Sequence, residues 1–226
     1  MLYTMEEHFV KIIRTEQLTH DVKKFQVEKP AGYSFIPGQA TNVSVNTPDL
    51  KNKKRPFTFT GLTNDPYLEF IIKIYPSHKG VTSAMDKLNP GDDIIIRDVW
   101  GAITYNGEGV FIAGGAGITP FISIFRDLQV KNKIAGNTLI FANKTKADII
   151  LEEELQKLLG KDFINILSDE VIDGYSHGML SEDFLKASIS DFSRKFYVCG
   201  PPPMMNAVKN QLANLGVGKN SIVVEF

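Results

Sequence analysis

In the first hundred residues apolar and polar positions alternate in short runs. Leu68, Phe70, Ile72 and Ile74 interleave with Glu69 and Lys73, and Val43 and Val45 sit between Asn42, Ser44 and Asn46. A period of two is the signature of a half-buried strand. Similar β-rich runs cover His8–Arg14, Val22–Val27, Phe57–Thr60 and Asp93–Arg97. Turn signals at Pro30–Gly32, Pro37–Gly38, Asn64–Pro66 and Pro90–Gly91 separate them. Six such strands predict a small antiparallel barrel of Greek-key type, interrupted by one short helix at Val81–Leu88, where Met85 and Leu88 share a face.

The rhythm changes after Asn106. Strand Val110–Ala113 runs into a Gly-rich turn and then a helix with Phe121, Ile122, Phe125 and Leu128 on one side. Strand Thr138–Ala142, helix Ile149–Leu159, strand Phe163–Leu167, a short helix after Ser181, strand Phe196–Cys199, helix Met204–Leu215 and strand Ile222–Val224 follow. Alternating strands and helices predict a five-stranded parallel α/β sheet. Asn106-Gly107 reads as the turn between two domains, residues 1–105 and 106–226.

Composition narrows the chemistry. With 25 Lys+Arg against 26 Asp+Glu the chain has no basic field for nucleic acid. Its single cysteine, Cys199, excludes a disulfide framework and any iron–sulfur cluster held by several thiolates of this chain. The four histidines have no spacing of a metal site, and none is expected. Glu6, Glu7 and His8 break the N-terminus where a secretory signal would be apolar. The uncharged stretch Val110–Phe125 is cut by Gly114, Gly115, Gly117 and Pro120 and is shorter than the roughly 20 residues of a spanning helix. A cytoplasmic monomer with no membrane partner is the expectation.

Four stretches carry candidate chemistry. Ala113-Gly114-Gly115-Ala116-Gly117-Ile118-Thr119-Pro120 joins a strand to a helix, where bare backbone N–H groups can approach a pyrophosphate. Cys199-Gly200-Pro201-Pro202-Pro203-Met204 makes a second such turn after a later strand. In the first half, Arg55-Pro56-Phe57-Thr58-Phe59-Thr60 sets a cation, an aromatic face and a hydroxyl close together, as a flat heteroaromatic cofactor with a phosphate tail requires. Lys79-Gly80-Val81-Thr82-Ser83 offers a second anion site, or else a hydroxyl-capped helix start. Lys51, Lys53, Lys54 and Arg55 form the one dense basic run, either a solvated loop or a place for a small acidic electron carrier.

Six motifs in order, Phe35-x-Pro37-Gly38-Gln39, Arg55-Pro56-Phe57-Thr58, Gly80-Val81-Thr82-Ser83, Gly114 to Pro120, Cys199 to Met204 and Glu225-Phe226, resemble the ferredoxin–NADP reductase superfamily over essentially the whole chain. The resemblance implies a flavin-binding barrel followed by a pyridine-nucleotide domain. It implies Arg55 and Pro56 at the flavin phosphate, Phe57 against the isoalloxazine, Thr58 near the flavin N5 that receives hydride, and Lys73 and Ile74 flanking the ring. It puts Gly80, Val81, Thr82 and Ser83 at the pyrophosphate of FAD, and Gly115, Gly117, Thr119 and Pro120 at that of the nucleotide. Cys199, Gly200, Pro201 and Glu225 then fall near the nicotinamide, with Phe226 a stacking aromatic. Thr58, Cys199 and Glu225 are the implied catalytic residues.

Asp98-Val99-Trp100-Gly101 stands where the family often has Gly-Pro-x-Gly, so no role passes to Trp100, and Phe226 follows Glu225 directly where plant-type members have a residue between. Ser168-Asp169-Glu170 replaces the Ser-Arg of NADP-selective relatives, which predicts NADH over NADPH unless Lys144 or Lys146 supplies a cation. The function implied is an NAD(P)H-dependent reductase holding FAD and passing electrons to a separate carrier such as ferredoxin or flavodoxin. The alternatives are an NAD(P)H:flavin reductase using free flavin, or an electron-transfer subunit of a larger complex.

Overall fold

The alternating runs of the first half pair as antiparallel strands in the computed structural model, which describes residues 6–101 and 103–224. The strands are β1 (His8–Thr19), β2 (Val22–Glu28), β3 (Ala40–Val45), β4 (Arg55–Thr58), β5 (Tyr67–Lys73), β6 (Asp93–Ile96) and β7 (Val99–Trp100). They follow the order β4-β3-β6-β1-β2-β5, with β7 on the side of β3. A bridge between Phe59 and Phe70 brings the two ends of that order together into a barrel. Phe25, Val27, Phe59, Leu68, Phe70, Ile94 and Ile96 fill it, and α1 (Val81–Asp86) adds Val81 and Met85 to the same core. β1 runs past Arg14 because Arg14–Gln17 still pair with Lys23–Gln26, and these β1 residues are exposed or half-buried and need no apolar face.

In the second half β8 (Gly109–Gly114), α2 (Thr119–Val130), β9 (Thr138–Asn143), α3 (Glu152–Leu159), β10 (Phe163–Leu167), β11 (Ser176–His177), α4 (Glu182–Ser188), β12 (Lys195–Cys199), α5 (Pro202–Asn214) and β13 (Ile222–Val224) follow in order. The sheet is parallel, β11-β10-β9-β8-β12-β13, and so carries a two-residue edge strand beyond the five expected. Residues facing one way, Phe111, Leu139, Phe141 and Tyr197, pack with α2 and α3. Their neighbours, Val110, Ile112, Ile140 and Val198, pack with α4 and α5. Strands covered on both faces read as continuous apolar runs, which is why β8 is buried throughout. α3 begins three residues later than its apolar spacing suggests, because Leu151 adopts a left-handed φ of 54° just before Glu152.

The halves are joined through buried contacts. Val22 and Ile71 of the barrel belong to the same apolar cluster as Ile124 and Leu128 of α2. Gly38 has φ +92°, its N–H donates to Ser123 Oγ and a Cβ there would lie 3.2 Å from Ile124 Cδ1, so its motif is a close packing point between the halves. The connecting segment is held to the second sheet by Tyr105 stacked on Tyr197, whose hydroxyl accepts from Asn106 N and donates to Gly107 O.

Candidate active site

The chain leaves β8 toward β9, β10 and β11 on one side and returns to β12 on the other, so the connections diverge between β8 and β12. A crevice forms at the carboxyl ends of parallel strands where that happens. Ala113 and Cys199, the last full pair of β12 and β8, are register partners there, and both glycine turns start from that row. The turns interlock. A Cβ on Gly114 would strike Met204 Sδ, and one on Gly117 would lie 2.5 Å from the Cys199 carbonyl carbon and 2.6 Å from Gly200 Cα. Gly115 takes φ +50° with open space around it, so the turn presents bare backbone outward.

This crevice opens onto the barrel as one cleft of about 650 Å³, within the usual size of a ligand site. The barrel contributes Pro56, Phe57, Thr58, Lys73 and Thr82, and the second sheet contributes Gly115, Gly117, Thr119, Cys199, Gly200 and Pro201. The cleft therefore brings together expected flavin and nucleotide residues from positions far apart in the chain. Thr58 is buried at 8% exposure, and its hydroxyl makes no hydrogen bond among the described residues. Cys199 is 5% exposed at the cleft wall. Lys73 meets Asp21 at 2.8 Å, which fixes its ammonium at the cleft edge.

Other expected residues lie elsewhere. Arg55 is exposed on the strand leading into the cleft, and its guanidinium donates to the Lys54 carbonyl. Gly80 is the N-cap of α1, and no side chain caps that helix, so Thr82 and Ser83 do not spend their hydroxyls on its start. The side chains of Ile74 and Val81 are part of the barrel core, leaving only their backbone for a ligand. Pro120 is buried in the first turn of α2. Ser168 and Asp169 lie at the carboxyl tip of β10 outside the cleft lining, with Ser168 Oγ donating to Asp169 Oδ1 at 2.6 Å. Lys146 packs over the Tyr175 ring at 5.3 Å, and Tyr175 together with Glu152 raises its pKa. Glu225 and Phe226 are outside the described residues.

Several cleft residues carried no expectation, Ile71 and Ile72 of β5 among them. Trp100 lies opposite Ala40 on β3, and Thr58 lies opposite Ala40 from the other side, so Thr58, Ala40 and Trp100 form one row on one face. Tyr75 and Met205 also line the cleft. The register of β7 on β3 was the only sign of Trp100, and a two-residue strand gives no periodicity to read. His20, Asp21 and Asp148 are brought within 4.8 Å of one another at the domain junction, although Lys73 already neutralises Asp21.

The site fits FAD and a nicotinamide nucleotide on these observations. An unpartnered hydroxyl faces the cleft at Thr58, the hydroxyls of Thr82 and Ser83 are not used as caps, and Gly115 leaves space where any other residue would put a Cβ. Family models agree: an oxidoreductase FAD-binding domain matches residues 9–105 and an oxidoreductase NAD-binding domain matches residues 111–210. An NADH-cytochrome b5 reductase of Pyricularia oryzae is 30% identical over 225 residues, covering 89% of this chain and 72% of the relative. The chain belongs to the ferredoxin–NADP reductase superfamily. The reductase component of a Rhodococcus jostii propane 2-monooxygenase is 28% identical, covering 94% of this chain and 61% of that one. In fold, a ferredoxin NADP+ reductase from Neisseria gonorrhoeae with bound FAD and NADP superposes with a TM-score of 0.86 at 18% identity, covering 96% of this chain and 97% of that one. As a member of this superfamily the protein is an NAD(P)H-dependent flavin oxidoreductase that uses FAD. Among the described residues no helix is long and apolar enough to cross a membrane.

Proposed function

We propose that the protein oxidises NADH at bound FAD and delivers the electrons one at a time to a small acidic redox protein, a cytochrome b5-like haem carrier, a ferredoxin or a flavodoxin. The observation that carries this reading is the loop Lys51–Arg55. Lys51, Lys53, Lys54 and Arg55 are all exposed, and the chain passes from them directly into β4, whose Thr58 faces the cleft. A cationic surface three residues from the redox site steers an anionic carrier to it. The loop is held firmly. Arg97, 1% exposed, donates through Nη2 to the Lys51 carbonyl and through Nη1 to Ser44 Oγ, and Ser44 Oγ donates to the same carbonyl. The name of the Pyricularia relative brings the haem carrier into the reading.

Bound FAD supplies the exchange between a two-electron donor and one-electron acceptors. The residues of the chain orient and enclose. Thr58, at the cleft, would present a hydrogen-bonding hydroxyl to the bound flavin. Gly115 and Gly117 admit the nucleotide pyrophosphate to backbone N–H groups ahead of α2, where the helix dipole favours anionic oxygen. Cys199 would offer the nicotinamide a small side chain on the second sheet's wall of the cleft, which Phe57 lines from the barrel. Asp169 at the tip of β10 and the engagement of Lys146 with Tyr175 favour a ribose hydroxyl over a 2′-phosphate, hence NADH.

Charge reversal tests the carrier. The Lys53→Glu/Lys54→Glu protein should keep its rate of FAD reduction by NADH while its kcat/KM for cytochrome b5 or ferredoxin falls by ~10-fold or more, with a flatter salt dependence. Unchanged transfer and unchanged salt dependence for every acidic carrier would overturn the reading.

A further inference from the structure

α2 sets three polar or charged side chains on the face it turns to the barrel, apart from Asp127 and Gln129 near its end. Thr119, Ser123 and Arg126 recur at spacings of four and three, so they lie along one face of the helix, spread over roughly 10 Å. That face meets the barrel. Thr119 lines the cleft. Ser123, fully buried, accepts a hydrogen bond from Gly38 N at 3.1 Å. Arg126 Nη1 donates to the Thr60 carbonyl at 2.8 Å and to Glu69 Oε1 at 2.6 Å. Its Nε and Nη2 donate to the two carboxylate oxygens of Glu154 on α3, at 2.5 and 2.8 Å.

The partners are themselves fixed. Glu69 on β5 is 4% exposed and accepts from Thr60 Oγ1 at 2.9 Å and from Gln26 Nε2 at 3.3 Å. Thr60 N donates to the Glu69 carbonyl at 2.9 Å, so the segment just after β4 is pinned to β5 at this point. Thr60 is two residues beyond Thr58. Arg126 is two helical turns beyond Thr119. One guanidinium thus ties the strand that presents Thr58 to the helix that begins at the nucleotide turn. It does so behind the cleft, without lining it.

We infer that Arg126 is a positioning residue for the NADH-to-flavin step, setting the sliding register of α2 against β4 and β5 and so the spacing of the two halves of the cleft. Ser123 with Gly38 is the second pin of the same register. Two pins along a helix resist both sliding and rotation, which a single contact does not. Reacting atoms must approach to about 3–3.5 Å, and a displacement near 1 Å can cost ~100-fold in rate. This role rests on the reading of the cleft as the meeting place of flavin and nicotinamide.

Three variants test it. Arg126→Met removes the link but leaves Glu69 buried without its counter-charge, which by itself can unfold a protein. The pair Glu69→Gln with Arg126→Met removes the buried Glu69 charge together with its counter-charge and keeps the Thr60 Oγ1 hydrogen bond, while Glu154, about a third exposed, is left to water, so no fully buried charge is stranded. Four readouts separate positioning from general damage. FAD reduction by NADH in rapid mixing should fall by ~10–100-fold. The long-wavelength charge-transfer absorbance of the nicotinamide–flavin pair should shrink. Reoxidation of dithionite-reduced flavin by ferricyanide, which needs no nucleotide, should stay within about twofold of wild type. In flavin-free protein, amide exchange at Gly38 and Thr60 should speed up, and Arg126→Lys should restore part of each loss.

Wild-type reduction rate and charge-transfer absorbance in the paired variant would overturn the inference, as would equal slowing of the ferricyanide step. A wild-type protein whose flavin NADH does not reduce would instead overturn the reading of the cleft. The exchange rates in flavin-free protein report the clamp independently of that result.

Discussion

Gly117→Ala adds one methyl group where two turns touch backbone to backbone. The new Cβ would lie 2.5 Å from the Cys199 carbonyl carbon and 2.6 Å from Gly200 Cα. Carbon atoms pack best at about 3.5–4.0 Å, so the turns after β8 and β12 must separate by ~1 Å. Met204 lies close against both Gly114 and Gly200, so the two turns are packed through one side chain. The shift falls on the cleft wall proposed to receive the nicotinamide, where Cys199 and Gly117 face each other. A misplacement of that size predicts a fall of ~100-fold in the rate of FAD reduction by NADH. That is about 2.7 kcal/mol of transition-state stabilisation. Overpacking should also cost ~1–3 kcal/mol of fold stability, visible as a lower Tm. Anaerobic rapid mixing of the FAD-loaded variant with NADH measures the rate on folded protein, and the flavin spectrum before mixing verifies that the barrel half is intact. A variant that reduces its flavin at the wild-type rate would refute the interlocking of the two turns as the source of the geometry.

Two further outcomes follow from particular side chains. The wild-type protein should prefer NADH to NADPH in kcat/KM, and Asp169→Ala should narrow that ratio by ~10-fold by removing the carboxylate that repels a 2′-phosphate; a wild-type preference for NADPH would show that Asp169 points away from the ribose. Burial pushes the Tyr33 phenol up to about 12 while its hydroxyl donates to the Arg97 carbonyl. The folded state then holds this proton more tightly than the unfolded chain, whose phenol titrates near 10, so its contribution is complete below about pH 10 and is lost as pH rises toward 12. Thermal melts from pH 9 to 12 should show Tyr33→Phe losing less stability across that window than wild type, and parallel curves would count against it.

Much of this architecture is legible in the residues because local pattern and tertiary demand coincide. Leu68, Phe70 and Ile72 of β5 recur at every second position because that face fills the barrel, Ile71 on the other face packs toward α2, and β8 is uniformly apolar because helices cover both of its faces. The two glycine turns are readable because only glycine allows backbone to approach backbone at Gly117 and Met204 to lie against Gly114. What escaped depends on contacts between distant segments. Nothing near Arg126 in the chain announces Glu69 or Thr60, and an arginine on a helix reads as a solvated charge until the barrel is docked against it. Trp100 joins the cleft only through the register of β7 on β3. The late start of α3 turns on the left-handed backbone of Leu151, which a leucine gives no reason to expect. Thr82 and Ser83 could be read as caps or as ligands, and the bare start of α1 favours the second reading.

Anaerobic titration of the purified protein with NADH, followed by visible absorbance, tests the central claim most directly. The account predicts a yellow protein, as isolated or after reconstitution, whose flavin is released by heat as FAD and whose absorbance bleaches fully with about one NADH per flavin, a two-electron exchange. Protein that neither carries nor takes up FAD at excess, or whose bound flavin stays oxidised in the presence of NADH, would contradict it.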